Sequence, residues 1–415
     1  MTYTPLGIHS IIGRALGVAL FGLALLTIGS TQLAQAQTYT IIHSFTGPDG
    51  VMPDAGVTMD RAGNLYGTTY YGGTAGRGTA FKLAHRNAGW TLLPVYSFQG
   101  GNDGAFPVAR VVFGPDGALY GTTSGGGGGP CNGGCGTVFR LTPPATVCKT
   151  SLCPWTETVL YRFPGGSVGA FPSYGDLAFD AAGNLYGTTQ GDESGNAAVV
   201  FMLSHSNGGW TESTLYSFAG DFVASGVIFD AAGNLYGATA DGDSGFGTVY
   251  ELSPSASGWT KSALYSFQGI NSPYDPLGTP IFDAAGNLYG TTFESGGSVY
   301  ELQPSNGGWT LSTLYLFNAY EGSFAAPSLD AAGNVYATST LGGGGAGNVV
   351  KLTRSGNGWT EADLVDFAGT GGYLPVGNVI VDANGNVFGT TSLGGTFIGG
   401  TCASGCGVVF EITPN

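Results

Sequence analysis

One phrase recurs seven times along this chain, and it limits the fold more than any other feature. It reads Asp60-Arg-Ala-Gly-Asn-Leu-Tyr66-Gly-Thr-Thr69 at its first occurrence and returns, with small changes, at 116–123, 180–189, 230–239, 283–292, 330–339 and 382–391. Its aromatic anchor falls at Tyr66, Tyr120, Tyr186, Tyr236, Tyr289, Tyr336 and Phe388, about 50 residues apart. That period suits a four-stranded propeller blade and is too long for one coil of a β-helix.

Each unit divides into four short strands. An apolar run such as Gly226-Val-Ile-Phe-Asp230 ends at an aspartate. The Asp-x-x-Gly-Asn turn follows, where Asp can bond its own backbone and Gly accepts a positive φ. The second strand is Asn-Leu-Tyr-Gly-Thr-Thr. A Gly-rich loop leads to a third strand such as Gly247-Thr-Val-Tyr-Glu-Leu252, which alternates apolar and charged residues. The fourth opens with Trp and closes with Phe eight residues on, as in Trp210 and Phe218, and all six tryptophans occupy this position. Even spacing among Trp210, Tyr216 and Phe218 predicts one shared face, packed between blades. Recurrence in every repeat marks this stripe as core rather than a carbohydrate platform.

The seventh repeat lacks its fourth strand, because the chain passes Gly407-Val-Val-Phe-Glu-Ile412 and stops at Asn415. Thr38-Tyr-Thr-Ile-Ile-His-Ser-Phe45 matches the missing strand. The expected fold is therefore all-β: a seven-bladed propeller of four-stranded antiparallel blades, closed by strand 38–45 completing the C-terminal blade. Such closure removes exposed sheet edges.

Arg14, the apolar run Ala15–Ile28 and Ala34-Gln35-Ala36 read as a secretory signal peptide, 1–36, cut before Gln37. The run is too short for a membrane anchor. Residues 37–415 then form one propeller domain that is exported, with no later membrane span expected. A net charge of −15 with no basic cluster argues against nucleic acid or anionic lipid as partners. Six cysteines, Cys131, Cys135, Cys148, Cys153, Cys402 and Cys406, lie in three local pairs. Zinc fits these spacings badly, as no histidine is near, so each pair is expected to form a disulfide pinning a loop.

The phrase Asp-x-x-Gly-Asn-Leu-Tyr-Gly-Thr-Thr, a Gly-Gly loop and then Gly-Thr-Val-Phe-x-Leu resemble the bacterial GloVer tandem repeat over essentially the whole chain after residue 36. Cys131-Asn-Gly-Gly-Cys135-Gly-Thr-Val-Phe and Cys402-Ala-Ser-Gly-Cys406-Gly-Val-Val-Phe look like that family too. The resemblance implies export and, in many members, a C-terminal anchoring segment, which Ile412-Thr-Pro-Asn415 does not resemble. It implies no activity. NHL and kelch repeats are similar more weakly, and WD40 is disfavoured because no Trp-Asp pair ends a strand.

Chemistry is sparse. His43 falls on the closing strand and is expected to pack, while His85 and His205 fall in exposed turns before Trp90 and Trp210; no Ser or Cys nucleophile is patterned beside them. The aspartates Asp60, Asp180, Asp230, Asp283, Asp330 and Asp382 repeat as turn formers. Carboxylates that break the repeat are Asp103, Asp192, Glu193, Asp221, Asp241, Asp243, Asp275, Glu294 and Glu321. Asp241-Gly-Asp243 resembles a calcium loop only faintly, without the distal Glu, so no metal or other cofactor is expected. The glycine runs 125–129 and 342–345 lack the Lys and the helix of a phosphate loop and read as hairpin loops.

With strand one innermost, the loops joining strands two and three share one end of the ring with the crossovers between blades. Repeats differ there, and a ligand would bind there. The residues chosen for that role are Tyr70 with Tyr71, Gln190 with Asp192, and Phe293 with Glu294, which follow Thr-Thr in three repeats. The expected activity is non-catalytic binding of an extracellular glycan or protein. The alternative is a carboxylate-based glycoside hydrolase or polysaccharide lyase, and a quinone-dependent dehydrogenase has only propeller shape in its favour.

Overall fold

In a computed structural model the chain folds as seven antiparallel sheets around a central channel. The structure describes residues 37–86, 89–145, 155–172, 174–192, 195–206, 208–218, 221–242, 245–269, 272–317, 322–356, 358–400 and 402–414. The leader 1–36, Cys148, Cys153, Glu193, Asp243 and Glu321 lie outside them. Blade 4 shows the pattern: Ile228–Phe229 innermost, then Leu235–Thr239, Thr248–Ser255 and Gly258–Ser266 outermost. Blade 7 is closed as the sequence predicts. Thr38–Ser44 pairs antiparallel with Val408–Thr413, so the two ends of the chain complete one sheet.

Each letter of the repeated phrase has a structural task. Asp230 accepts from the Ala232 and Asn234 amides through Oδ1, and from Asn234 Nδ2 and the Tyr236 hydroxyl through Oδ2. The same set recurs at Asp60, Asp180, Asp283 and Asp330. Blade 7 has Phe388 where the others have Tyr, so Asp382 keeps its turn bonds without the hydroxyl. In blade 2 the turn position is Gly114, and Asp116, two residues later, reaches Tyr120 instead.

The glycine after Tyr sits beneath an aromatic ring of the third strand. A Cβ on Gly187 would lie 2.6 Å from Phe201 Cζ, which no real contact tolerates. Blade 6 confirms the reason: Ala337 replaces glycine there, and its partner opposite is the smaller Val350. The paired threonines join strands and blades. Thr188 Oγ1 donates to the Ser225 carbonyl of the next blade at 2.7 Å, while Thr69 and Thr79 hydroxyls pair at 2.8 Å within one hairpin.

The outer strand departs from expectation. Each of the seven carries a one-residue bulge, at Ile42, Val95, Leu160, Leu215, Leu264, Leu314 and Leu364, five places after the Trp position. An extra residue inverts the two-residue alternation beyond it. Trp therefore does not share a face with Tyr and Phe. Trp309 packs against Tyr236 of the preceding blade, whereas Tyr315 and Phe317 pack with Val335 and Val350 of the following one. One strand thus seals both of its interfaces, and the core lies between blades rather than within them.

The glycine runs also differ in detail. Leu119–Gly126 continues as strand and pairs with Gly104–Pro107, adding a fifth strand to blade 2. Gly342–Gly345 forms one short helical turn in which Gly343 and Gly344 have left-handed φ. Among the described residues no helix is long and apolar enough to cross a membrane.

Candidate functional site

The two ends of the ring are built differently. At the end carrying the Asp-x-x-Gly-Asn turns, the carboxylates are satisfied. Burial works to raise the Asp60 pKa, but hydrogen bonds from Asn64, Ala62 and Tyr66 outweigh it and hold the group below the ordinary aspartate value. Asp180, Asp230, Asp283 and Asp330 are lowered by the same balance.

At the other end, five of the seven crossovers enter the channel through a residue with a special backbone. Met52, Phe106, Phe171, Asp275 and Leu374 all have φ between 56° and 59°, and each precedes a proline. Left-handed backbone at non-glycine residues costs about 1–3 kcal/mol each and persists where neighbours fix it. Here the amide of Met52 donates to Cys406 O and its carbonyl accepts from Tyr70 N, at 2.9 and 2.8 Å. Phe171 bonds Cys135 O and Gln190 N in the same way, and Asp275 bonds Phe246 O and Phe293 N. Tyr70, Gln190 and Phe293 are thus equivalent residues on one belt around the mouth.

Their side chains serve three separate places. Tyr70 stacks on Phe106 with ring centroids 5.2 Å apart, and Tyr71, exposed, meets both edge-on. Phe293 packs on Phe324 at 4.2 Å beside Ala224 and Leu277, which places it against the channel wall. Gln190 and Asp192 line a groove of about 970 Å³ between blades 3 and 4, with Phe171, Phe222, Asn196, Asp221 and Asp241. Asp192 there holds Asn196 by its amide and its side chain. Glu294 stands apart from that groove: it neighbours Asp275, whose carboxyl is pushed up to about 6 by burial, then by the charges of Asp241 and Glu294.

The mouth itself is a ring of seven residues at one repeat position: Asp54, Val108, Tyr174, Ala224, Leu277, Phe324 and Val376. Burial pushes the Asp54 carboxyl up to about 7, opposed by a hydrogen bond from Ser392. Its Oδ1 is inaccessible and has no hydrogen-bond partner. Two residues further along the crossovers, Arg110 clamps Asp176 through Nε at 2.9 Å and Nη2 at 2.6 Å, linking blades 2 and 3. Below that pair a cavity of about 470 Å³ is walled by innermost strands, including Ile228, Ile281 and Ile380.

Asp54 and Tyr174 escaped sequence reasoning, although a signal existed. Aligning the repeats on the residue six places before the turn aspartate shows one carboxyl among aliphatic and aromatic neighbours. Phe171 and Phe222 were hidden in crossovers of unequal length. Of the histidines, His43 is half-buried, lies edge-on to Phe45 and bonds Asp49 at 2.9 Å, while His85 and His205 are exposed against Trp90 and Trp210. No cluster of three or more His, Cys, Asp or Glu residues could hold a metal among the described residues.

Disulfides join Cys131 to Cys135 and Cys402 to Cys406, each pinning a loop at this end between strands two and three. Such bonds fit an oxidising, extracellular environment.

Fold and repeat together define a seven-bladed propeller assembled from one tandem unit. The chain belongs to the Gloeobacter/Verrucomicrobia repeat family, whose sequence profile matches residues 27–239 and 223–415. No curated protein matches it by sequence. Among solved structures it is similar to candidate 6-phosphogluconolactonases from Bacteroides uniformis and Bacteroides fragilis. These are 16% and 17% identical, with TM-scores of 0.50 and 0.51, and the match covers 79% and 81% of this chain and 88% of each of theirs. It is also similar to the extracellular domain of a candidate one-component system from Bacteroides thetaiotaomicron, 9% identical with a TM-score of 0.52, over 90% of this chain and 40% of that one. At these identities the likeness is one of fold.

Proposed function

We propose that this chain is an exported, non-catalytic binding protein whose crossover end recognises a glycan. The observation that carries the reading is the groove between blades 3 and 4, where Phe171 and Phe222 stand beside Gln190, Asp192 and Asn196. Apolar ring faces with a few convergent polar groups suit a sugar, which offers C–H faces and hydroxyls together. The two disulfides and the signal-like leader support export. A glycan array and soluble polysaccharides, probed with protein beginning at Gln37, test the reading. Binding lost in Phe171→Ala and Phe222→Ala supports it; binding of protein ligands alone, with no glycan retained, refutes it.

One observation favours a second reading, a carboxylate-based glycoside hydrolase or lyase. Asp275, with its carboxyl raised to about 6, stands near the charges of Asp241 and Glu294. A carboxyl whose pKa is raised beside other carboxyls is one way acid and base roles are divided at one site. New reducing ends or unsaturated products, abolished in Asp275→Asn, would make this the function. The lactonase names of the structural neighbours add nothing, since the shared feature is the ring.

A further inference from the structure

We propose that the Cys131–Cys135 disulfide positions Phe171 and Asn196 in the groove between blades 3 and 4, so that its reduction by a dithiol weakens binding there. What is bound rests on the glycan-binding reading; how the groove is held does not.

The disulfide lies in the loop between strands two and three of blade 2 and reaches the groove by two routes. The first runs through the backbone. The Cys135 carbonyl accepts from the Phe171 amide at 2.9 Å, and the Phe171 carbonyl accepts from the Gln190 amide at the same distance. Phe171 has a left-handed φ of 56°, which a non-glycine residue keeps only while its neighbours fix it. The second route passes Gly165, wedged between the disulfide and Asn196. A Cβ there would stand 2.9 Å from Asn196 Oδ1, 3.2 Å from Cys135 Sγ and 3.4 Å from Cys131 Sγ. Gly166 donates its amide to Asn196 Oδ1 at 2.6 Å, and its carbonyl accepts from the Ala197 amide at 2.9 Å. Phe171, Gln190, Asn196 and Ala197 all line the groove. Cys135 is fully buried in the cluster around Phe163 and Phe201, against which Cys131, Phe171 and Ala197 also pack.

Blade 7 supplies the comparison. Cys402–Cys406 closes a loop of the same length, and the Cys406 carbonyl accepts from the Met52 amide at 2.9 Å. That bond fixes the crossover into blade 1, and Met52 is no part of the groove. Because the two loops are equally short, losing either disulfide frees the unfolded chain to a similar extent. Only the loss of Cys131–Cys135 should be felt in the groove.

Reduction is a two-step exchange. One thiolate of the dithiol attacks a sulfur of the disulfide, forms a mixed disulfide and releases the other cysteine as a thiolate. The second thiol then closes the reagent into its own cyclic disulfide, so the dithiol is oxidised and Cys131 and Cys135 both end as thiols. Cys131 is half-buried and Cys135 inaccessible, which makes the Cys131 sulfur the point of attack.

Hydrogen exchange read by mass spectrometry, on protein beginning at Gln37, tests the positioning without any ligand. In Cys131→Ser/Cys135→Ser, exchange in 165–172 and 190–197 should rise several-fold, while Cys402→Ser/Cys406→Ser should leave both segments as in the parent. A glycan retained by the parent should bind about tenfold more weakly to the first variant if the braced groove falls to about a tenth of the population, and equally well to the second. Dithiothreitol should reproduce the loss in the parent and add nothing in Cys131→Ser/Cys135→Ser. Unchanged exchange in the first variant, or an equal rise in the groove segments of both, overturns the proposal. Were the parent to bind no glycan, the glycan reading would fall while exchange still decided this one. Were the double variant not to fold, Cys131→Ser breaks the bond with buried Cys135 left in place and gives the same comparison.

Discussion

The two ends of this propeller carry carboxylates in opposite condition. At the turn end, Asp60, Asp180, Asp230, Asp283 and Asp330 each accept four hydrogen bonds and are held below their ordinary pKa against the effect of burial. At the crossover end, Asp54 and Asp275 are raised, by burial first and, for Asp275, by neighbouring charge as well. Left-handed non-glycine residues also gather there, at Met52, Phe106, Phe171, Asp275 and Leu374. One end is consistent at every level, from turn chemistry to electrostatics. The other keeps unsatisfied groups and strained backbone, which is where function is to be sought in a repeat fold.

The largest expected effect lies in neither end but in the wall that joins them. Phe201→Ala, fully buried between blades 2 and 3, should cost about 3–5 kcal/mol in denaturant unfolding. A loss under about 1 kcal/mol would mean the blades are not held by these inter-blade aromatics.

Next comes the contrast itself. Asp230→Ala removes the acceptor of four bonds at the turn end and should destabilise by about 1–2 kcal/mol. Asp54→Asn should not, and at pH 8 its thermal midpoint should equal or exceed that of the parent. Equal losses in both variants would erase the distinction.

The pH dependence has opposite signs for the two sets. Carboxyls raised in the folded state, Asp54 and Glu157 near 7 and Asp275 near 6, bind protons more tightly than in the unfolded chain. Their contribution is full below about pH 4 and declines as pH rises through 6–7. The lowered turn aspartates contribute above about pH 4 and lose that contribution as pH falls through their folded values. Stability should therefore peak near pH 4–5. In Asp54→Asn the decline between pH 5 and pH 8 should shrink, and an unchanged slope would contradict the assignment.

The smallest effect concerns two buried hydroxyls. Tyr250 and Tyr300 occupy the third-strand position where blades 1, 2, 3 and 7 have Phe, and neither hydroxyl finds a partner. Tyr250→Phe and Tyr300→Phe should be neutral or stabilising by up to about 1 kcal/mol, measured at the thermal midpoint.

How much the sequence revealed follows the same division. The turn end was legible because it repeats: Asp230, Gly233, Asn234 and Tyr236 each act locally, and their roles follow from turn chemistry. Ring closure was legible because a missing strand has a countable signature at Thr38–Ser44. The bulge at Leu215 was not, since its neighbours Thr214 and Tyr216 keep an even spacing to Trp210 and give no sign of an extra residue. The crossover end was read only as a region. Tyr70, Gln190 and Phe293 share a backbone role on the belt, but their side chains serve different places. Asp54 and Tyr174 meet through folding of crossovers about 120 residues apart in sequence, which no local pattern records.

The most direct test of the central claim is glycan binding by two sets of variants measured side by side. Phe171→Ala and Phe222→Ala alter the crossover end, while Asp230→Asn and Tyr236→Phe alter the turn end. The account predicts that a glycan retained by the parent protein is lost by the first pair and kept by the second. Binding that survives the first pair, or fails equally in folded proteins of both, would contradict it.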